Sequence, residues 1–223
     1  SGGIYESEDG GENWLEINGN KDRGLILAHS YGFDVDPDDE NVLYASTIGG
    51  FFKSIDGGEN WGLVDDQLMN KNYGMSQHQR NVVINKDNPN VLYILADAGQ
   101  VYKSENYGET WKEISIDTFD KRRNKENLVD LSMENVDWTN PFLFSTLSEF
   151  QSADAIVVDN NLYMVTDGDE DLRLLKYTPS KISKKSKGWK SIEGELLNSR
   201  DLFSITYSSI SDKFYLGGDE GLL

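Results

Sequence analysis

Carboxylates are the side chains numerous enough here to do chemistry: 39 Asp and Glu against 21 Lys and Arg, a formal charge of −18. Two carboxylates roughly 5–10 Å apart could hydrolyse a glycosidic bond as acid and base or as acid and nucleophile. With so many acids, pairs arise by chance, and spacing singles out none. Asp167-Gly-Asp-Glu-Asp171 sets three carboxylates as calcium loops do. It has neither glycine at its sixth position nor acid at its twelfth. It therefore reads as a solvated hairpin turn, with Ca2+ held by Asp167, Asp169 and Asp171 as the second reading. Asp34-Val-Asp-Pro-Asp-Asp-Glu40 likewise reads as a polar turn before it reads as an ion site. His29 and His78 have no metal-ligand partner spacing and read as loop residues, so no metal site is expected. Cys is absent, which removes thiolate chemistry and disulfides. There is no glycine-rich phosphate loop and no G-x-S-x-G elbow.

What must position any such chemistry is an internal repeat. Ser7-Glu-Asp-Gly-Gly-Glu-Asn-Trp14, Ser54-Ile-Asp-Gly-Gly-Glu-Asn-Trp61 and Ser104-Glu-Asn-Tyr-Gly-Glu-Thr-Trp111 align without gaps. Each follows a short alternating run and precedes another apolar residue, which is strand, tight turn, strand. The acid or amide (Asp9, Asp56, Asn106) can accept from the backbone that follows it and fix an Asx-type turn. Gly11, Gly58 and Gly108 supply backbone angles that a side chain resists. Ser7, Ser54 and Ser104 can satisfy a turn amide. Trp14, Trp61 and Trp111 offer large plates to bury, and all three are expected to be buried.

Upstream, Phe33-Asp-Val-Asp-Pro-Asp-Asp-Glu-Asn-Val-Leu-Tyr44 matches Val83-Ile-Asn-Lys-Asp-Asn-Pro-Asn-Val-Leu-Tyr93, each a strand, turn and strand. One unit is thus four antiparallel strands, a to d, with the box closing the c–d hairpin. Such units recurring at this spacing predict an all-β propeller. The expected division is a half blade at 1–17, blades at about 24–63, 80–114 and 153–193, and a half blade at 202–223. A long insertion at 115–152 is expected on the face opposite the box turns. The two halves could close into a fourth blade, or the chain could be an excerpt. Gly221-Leu-Leu223 already begins a strand c that Gly3-Ile-Tyr5 would duplicate, so a larger propeller is the expectation.

These boxes resemble the Asp-box, or bacterial neuraminidase repeat. The wider pattern is similar to the propellers of sortilin-type receptors, xyloglucanase-type glycoside hydrolases and photosystem II assembly factors. That resemblance implies a structural box on the face away from the ligand, and it joins enzymes with pure binding proteins. Sialidases of this kind use an arginine cluster, whereas the six arginines here are scattered and the Phe-Arg-Ile-Pro element is missing. The catalytic aspartates of the xyloglucanase type match no residue of this chain.

A ligand surface should then use the d-to-a connections at residues 18–31, 64–80, 115–152 and 193–201. They carry Tyr31, Tyr73, His78, Trp138, Phe142 and Phe150, whose rings beside acids suit sugars or peptides. The competing reading is that these rings anchor the long loop. Residues 1–62 hold 13 acids and 3 bases, so a cationic or sugar partner fits better than an anionic one, and nucleic acid is excluded. No apolar run is long enough to span a bilayer. The expected function is a secreted or surface-exposed module binding a protein or glycan. The alternative is part of a glycoside hydrolase, xyloglucanase-like before sialidase-like, with catalytic carboxylates partly outside the chain. No cofactor is expected beyond the calcium reading.

Overall fold

Alternating apolar residues punctuated by Asx turns fold as short antiparallel strands. The computed structural model describes residues 3–20, 24–25, 30–47, 50–64, 79–96, 100–115, 152–166, 174–182, 187–192, 202–218 and 221–222. First comes a two-stranded pair, β1 (Tyr5–Glu6) and β2 (Leu15–Glu16), joined through the first box. β3 (Ser30–Val35), β4 (Leu43–Thr47), β5 (Gly50–Ser54) and β6 (Gly62–Leu63) form a four-stranded sheet in chain order. So do β7 (Gln79–Ile84), β8 (Leu92–Ala96), β9 (Val101–Ser104) and β10 (Lys112–Glu113). The third such sheet is β11 (Ser152–Val158), β12 (Asn161–Thr166), β13 (Leu174–Tyr177) and β14 (Trp189–Ser191). A three-stranded sheet of β15 (Leu202–Ser208), β16 (Lys213–Gly218) and β17 (Gly221–Leu222) completes the order. Among the described residues a 3-10 turn at Pro179–Lys181 is the one helical element, and the chain is all-β as expected.

The a–b turns show why the repeated polar runs are there. Asp36 N–H donates to Val42 O and Asn85 N–H to Val91 O, each at 2.9 Å. The side chains of Asp36 and Asn85 then accept from Asp38 N–H and Asp87 N–H, closing an Asx turn in both sheets. Strand a carries a register shift in each of three sheets, at Ser30/Gly32, Ser152/Asp154 and Leu202/Ser204. Such bulges bend a strand and increase its twist.

The chain divides into two compact units, Ser1–Ile94 with Ser104–Trp111 and Leu95–Lys103 with Lys112–Leu223. In the first, Ile4, Leu43, Ala45, Phe52 and Trp61 form a buried cluster with Ile17 and Leu25 against it. Tyr44 stacks on Phe51 at 5.9 Å, and Trp111 meets Phe51 edge-on at 5.4 Å. In the second, Val165 and Leu174 pack against Leu202, Ile205 and Leu216, so one sheet's face covers the next. Tyr163, Phe214 and Tyr207 extend this contact as a row of tilted rings.

Candidate functional site

The three boxes fold alike, and their polar atoms are spent inside the turn. Ser7, Ser54 and Ser104 each accept from the N–H of the box glycine, at 2.8, 2.9 and 2.9 Å. Each hydroxyl also donates to the acid or amide two residues on. That side chain accepts in turn from the backbone of Asn13, Asn60 or Thr110, at 2.9 Å in every copy. Asn13 and Asn60 add a side-chain bond to the second carboxylate oxygen. A carboxylate so engaged accepts three bonds from its own turn, and both of its oxygens hold that turn. In the third box Tyr107 takes a positive φ of 55°, where the other boxes have glycine. Its carbonyl accepts from Tyr44 Oη and Lys53 Nζ, which holds it there.

These bonds set an acid response. Asp9 is held down to about 2, first by the Asn13 N–H, and Asp56 is held below the ordinary carboxylate range, first by the Asn60 side chain. A carboxyl depressed on folding adds stability above its unfolded value of roughly 3.9. That stability is lost as pH falls through the folded value. Between pH 5 and 2 the Asp9→Asn, Asp56→Asn double variant should therefore lose less stability than the unaltered chain, because Asn106 builds the same turn without titrating. An unchanged pH dependence in the double variant would contradict this assignment.

The tryptophans differ, which corrects the expectation that all three are buried. Trp61 is 4% exposed and its indole N–H donates to Ile17 O at 2.8 Å, on the segment leaving β2. Trp189, which has no box turn before it, does the same to Ile114 O. Ile17 and Ile114 each stand three residues after a box tryptophan, so the repeat itself carries the acceptor. Trp111 is part-buried with its Nε1 unpaired. Trp14 is 61% exposed: residues 3–13 contain no preceding strand d to receive it, and its Nε1 turns back to Gly11 O at 3.0 Å.

Between the first and second boxes lies a groove of about 840 Å³. Glu6, Glu8, Glu16, Glu40, Asp56 and Glu59 line it together with Asn20, Asn41 and Asn60, and among the described residues no basic one does. Asn20 Nδ2 donates to Asn60 Oδ1 and ties the two repeats across it. Asp56 faces its own turn, whereas Glu6, Glu8, Glu16, Glu40 and Glu59 are exposed. A concavity with this lining attracts cations and hydroxyl donors and repels phosphate and carboxylate.

Two further acids work along strand a and were not legible as such. Asp34 Oδ2 accepts from Ile84 N–H at 2.9 Å while its Oδ1 accepts from Val35 N–H. Asp154 repeats this with Ile205 N–H at 3.0 Å and Ala155 N–H at 2.8 Å. Strand a is an edge strand, and an edge amide turned inward costs stability unless it is paired. The reading of Asp34 as a turn residue is thereby corrected: it lies in β3 and fastens one sheet to the next. Burial raises its carboxyl pKa against the pull of the two N–H donors. Asp34→Ala strands the Ile84 N–H and should cost about 1–3 kcal/mol in urea unfolding at neutral pH. No measurable change would refute the role.

The expected ligand residues fall elsewhere. Tyr73, His78, Trp138, Phe142 and Phe150 lie outside the described residues, as do Asp167, Asp169 and Asp171 and nearly all of 115–152. Tyr31 belongs to β3 by its backbone, and its side chain lies outside the description. Among the described residues no group of three or more His, Asp or Glu is placed to hold a metal ion. Nor is any helix there long and apolar enough to cross a membrane.

No protein-family model and no curated protein matches the chain. Solved structures do. An ancestral GH74 enzyme is similar over 97% of this chain with a TM-score of 0.61 at 17% identity. The GH74 enzyme of Niastella koreensis is similar over 99% at 0.57 and 17%. The extracellular domain of a one-component system of B. thetaiotaomicron is similar over 99% at 0.60 and 12%. The chain spans 24%, 30% and 24% of those proteins. At such identities the likeness speaks for the fold alone: four-stranded antiparallel sheets that make up part of a β-propeller.

Proposed function

We propose that this chain is a recognition part of an acidic Asp-box propeller, secreted or displayed at the cell surface, that binds a protein or a glycan. The groove between the first and second boxes carries this reading. It is a polar concavity of the first unit, and its described lining holds six carboxylates and no base. It suits a Lys- or Arg-bearing protein segment or a hydroxyl-rich sugar. The box acids support binding over catalysis because the turns consume them. The extracellular-domain neighbour favours the location.

The second reading, part of a glycoside hydrolase, draws on the two GH74 neighbours. A panel of β-glucan oligosaccharides and cationic peptides separates the two. Saturable binding without release of reducing ends is the expected result. Release of reducing ends that heat inactivation of the protein abolishes would overturn recognition in favour of hydrolysis.

A further inference from the structure

The second and third boxes meet in the same way as the first and second, and there the chain supplies its own cation. Both positions lie in the first unit. Gly57 N–H donates to Asn41 O and Tyr107 N–H to Asn90 O, each at 3.0 Å, so the two turns are tied alike. Gly58 stands against Ile17 as Gly108 stands against Val64. The boxes set Glu6 level with Lys53, Gly57 with Tyr107 and Glu59 with Glu109. At the second position Lys53 Nζ donates to Tyr107 O at 3.2 Å, beside the Tyr44 hydroxyl that donates to the same carbonyl. It lies 5.2 and 5.9 Å from the Tyr44 and Tyr107 ring centres. Burial lowers the Lys53 pKa, and the charges of Glu109 and Asp36 pull it back up. That seat is filled from within.

At the first position the same seat is acidic. Glu6 stands in the place of Lys53, Gly57 offers its carbonyl with no side chain above it, and Glu59 keeps the place of Glu109. Among the described residues nothing donates to Gly57 O. We infer that this groove takes the primary ammonium of a lysine side chain from a partner protein, held by Gly57 O between Glu6 and Glu59. The next repeat shows that the turn holds an ammonium, and here an acid replaces the chain's own. A compact ammonium with three N–H donors can serve a carbonyl and two carboxylates together. The planar guanidinium of arginine is shaped for a carboxylate edge rather than a lone carbonyl. A neutral sugar leaves the acids without a counter-charge. This rests on the recognition reading and selects lysine from the partners that the groove suits.

The test titrates N-terminally labelled pentalysine, and the same peptide with every side-chain nitrogen trimethylated, onto the chain at low salt. Trimethylation keeps the charge and removes the N–H donors, so the methylated peptide should bind at least about tenfold more weakly. Glu6→Lys rebuilds the Lys53 arrangement and should fill the seat from within, weakening pentalysine binding about thirtyfold. Glu8→Lys makes the same change of charge on the lining, in the place of Ile55, and should weaken it only about threefold. The peptide comparison uses the unaltered chain and does not depend on either variant folding. Equal affinity for the two peptides, or equal losses in the two variants, would overturn the lysine seat and leave recognition by the acid groove standing. No binding of pentalysine would overturn both.

Discussion

Trp61→Ala is expected to cost about 3–5 kcal/mol, the range for deleting a large buried aromatic, whereas Trp14→Ala should cost less than about 1 kcal/mol. Both residues end the same eight-residue box, so the local sequence does not separate them. What separates them is the acceptor. Trp61 fills the cluster of Ile4, Leu43, Ala45 and Phe52 and donates to Ile17 O, so its loss opens a cavity and strands a carbonyl. Trp14 lies on the surface and bonds within its own turn. Equilibrium urea unfolding of both variants measures the contrast. Equal costs would mean that the sheet-to-sheet bond contributes little.

The second large effect is Gly58→Ala, expected to cost about 3 kcal/mol or more. Its φ is +89°, and an added Cβ would stand 2.8 Å from both Ile17 Cβ and Ile17 O. Left-handed backbone alone costs a side chain roughly 1–2 kcal/mol, and the clash falls on the segment that receives Trp61. Gly57 supplies the control: its φ is +66°, but its added Cβ meets only Asn41 Oδ1 at 3.7 Å. Gly57→Ala should therefore cost only the backbone share, about 1–2 kcal/mol. If thermal or urea unfolding ranks the two alike, close approach to Ile17 is not what selects glycine at position 58.

Much of the fold is legible because the box is a local device. Ser54, Asp56 and Gly58 make their bonds within seven residues, so spacing alone announces the turn and the strands on either side. The partners that join one sheet to the next are harder to read, because they lie a blade apart. The Asp34 bond to Ile84 N–H and the Trp61 bond to Ile17 O span 50 and 44 residues. A single acid at an alternating position of β3 gives only a weak signal: a polar side chain on an edge strand where an apolar one would be ordinary. The exposure of Trp14 escapes the sequence altogether, since it depends on whether a neighbouring strand d is there to receive the ring. The groove is hidden for a related reason. Glu6 comes from β1, Glu40 from an a–b turn and Glu59 from a box turn, and they meet only when two repeats stand side by side.

The direct test of recognition by this acid-lined groove is a fluorescence-anisotropy titration of an oligolysine peptide with the chain at low and moderate salt. It is repeated on the Glu6→Gln, Glu40→Gln, Glu59→Gln variant, whose substitutions keep the Ser54, Asp56 and Asn60 side chains that hold the second box turn. The account predicts saturable binding that weakens as salt screens the charges. It also predicts about tenfold weaker binding by the triple variant at low salt. Equal affinity of the two proteins, or no binding at low salt, would contradict it.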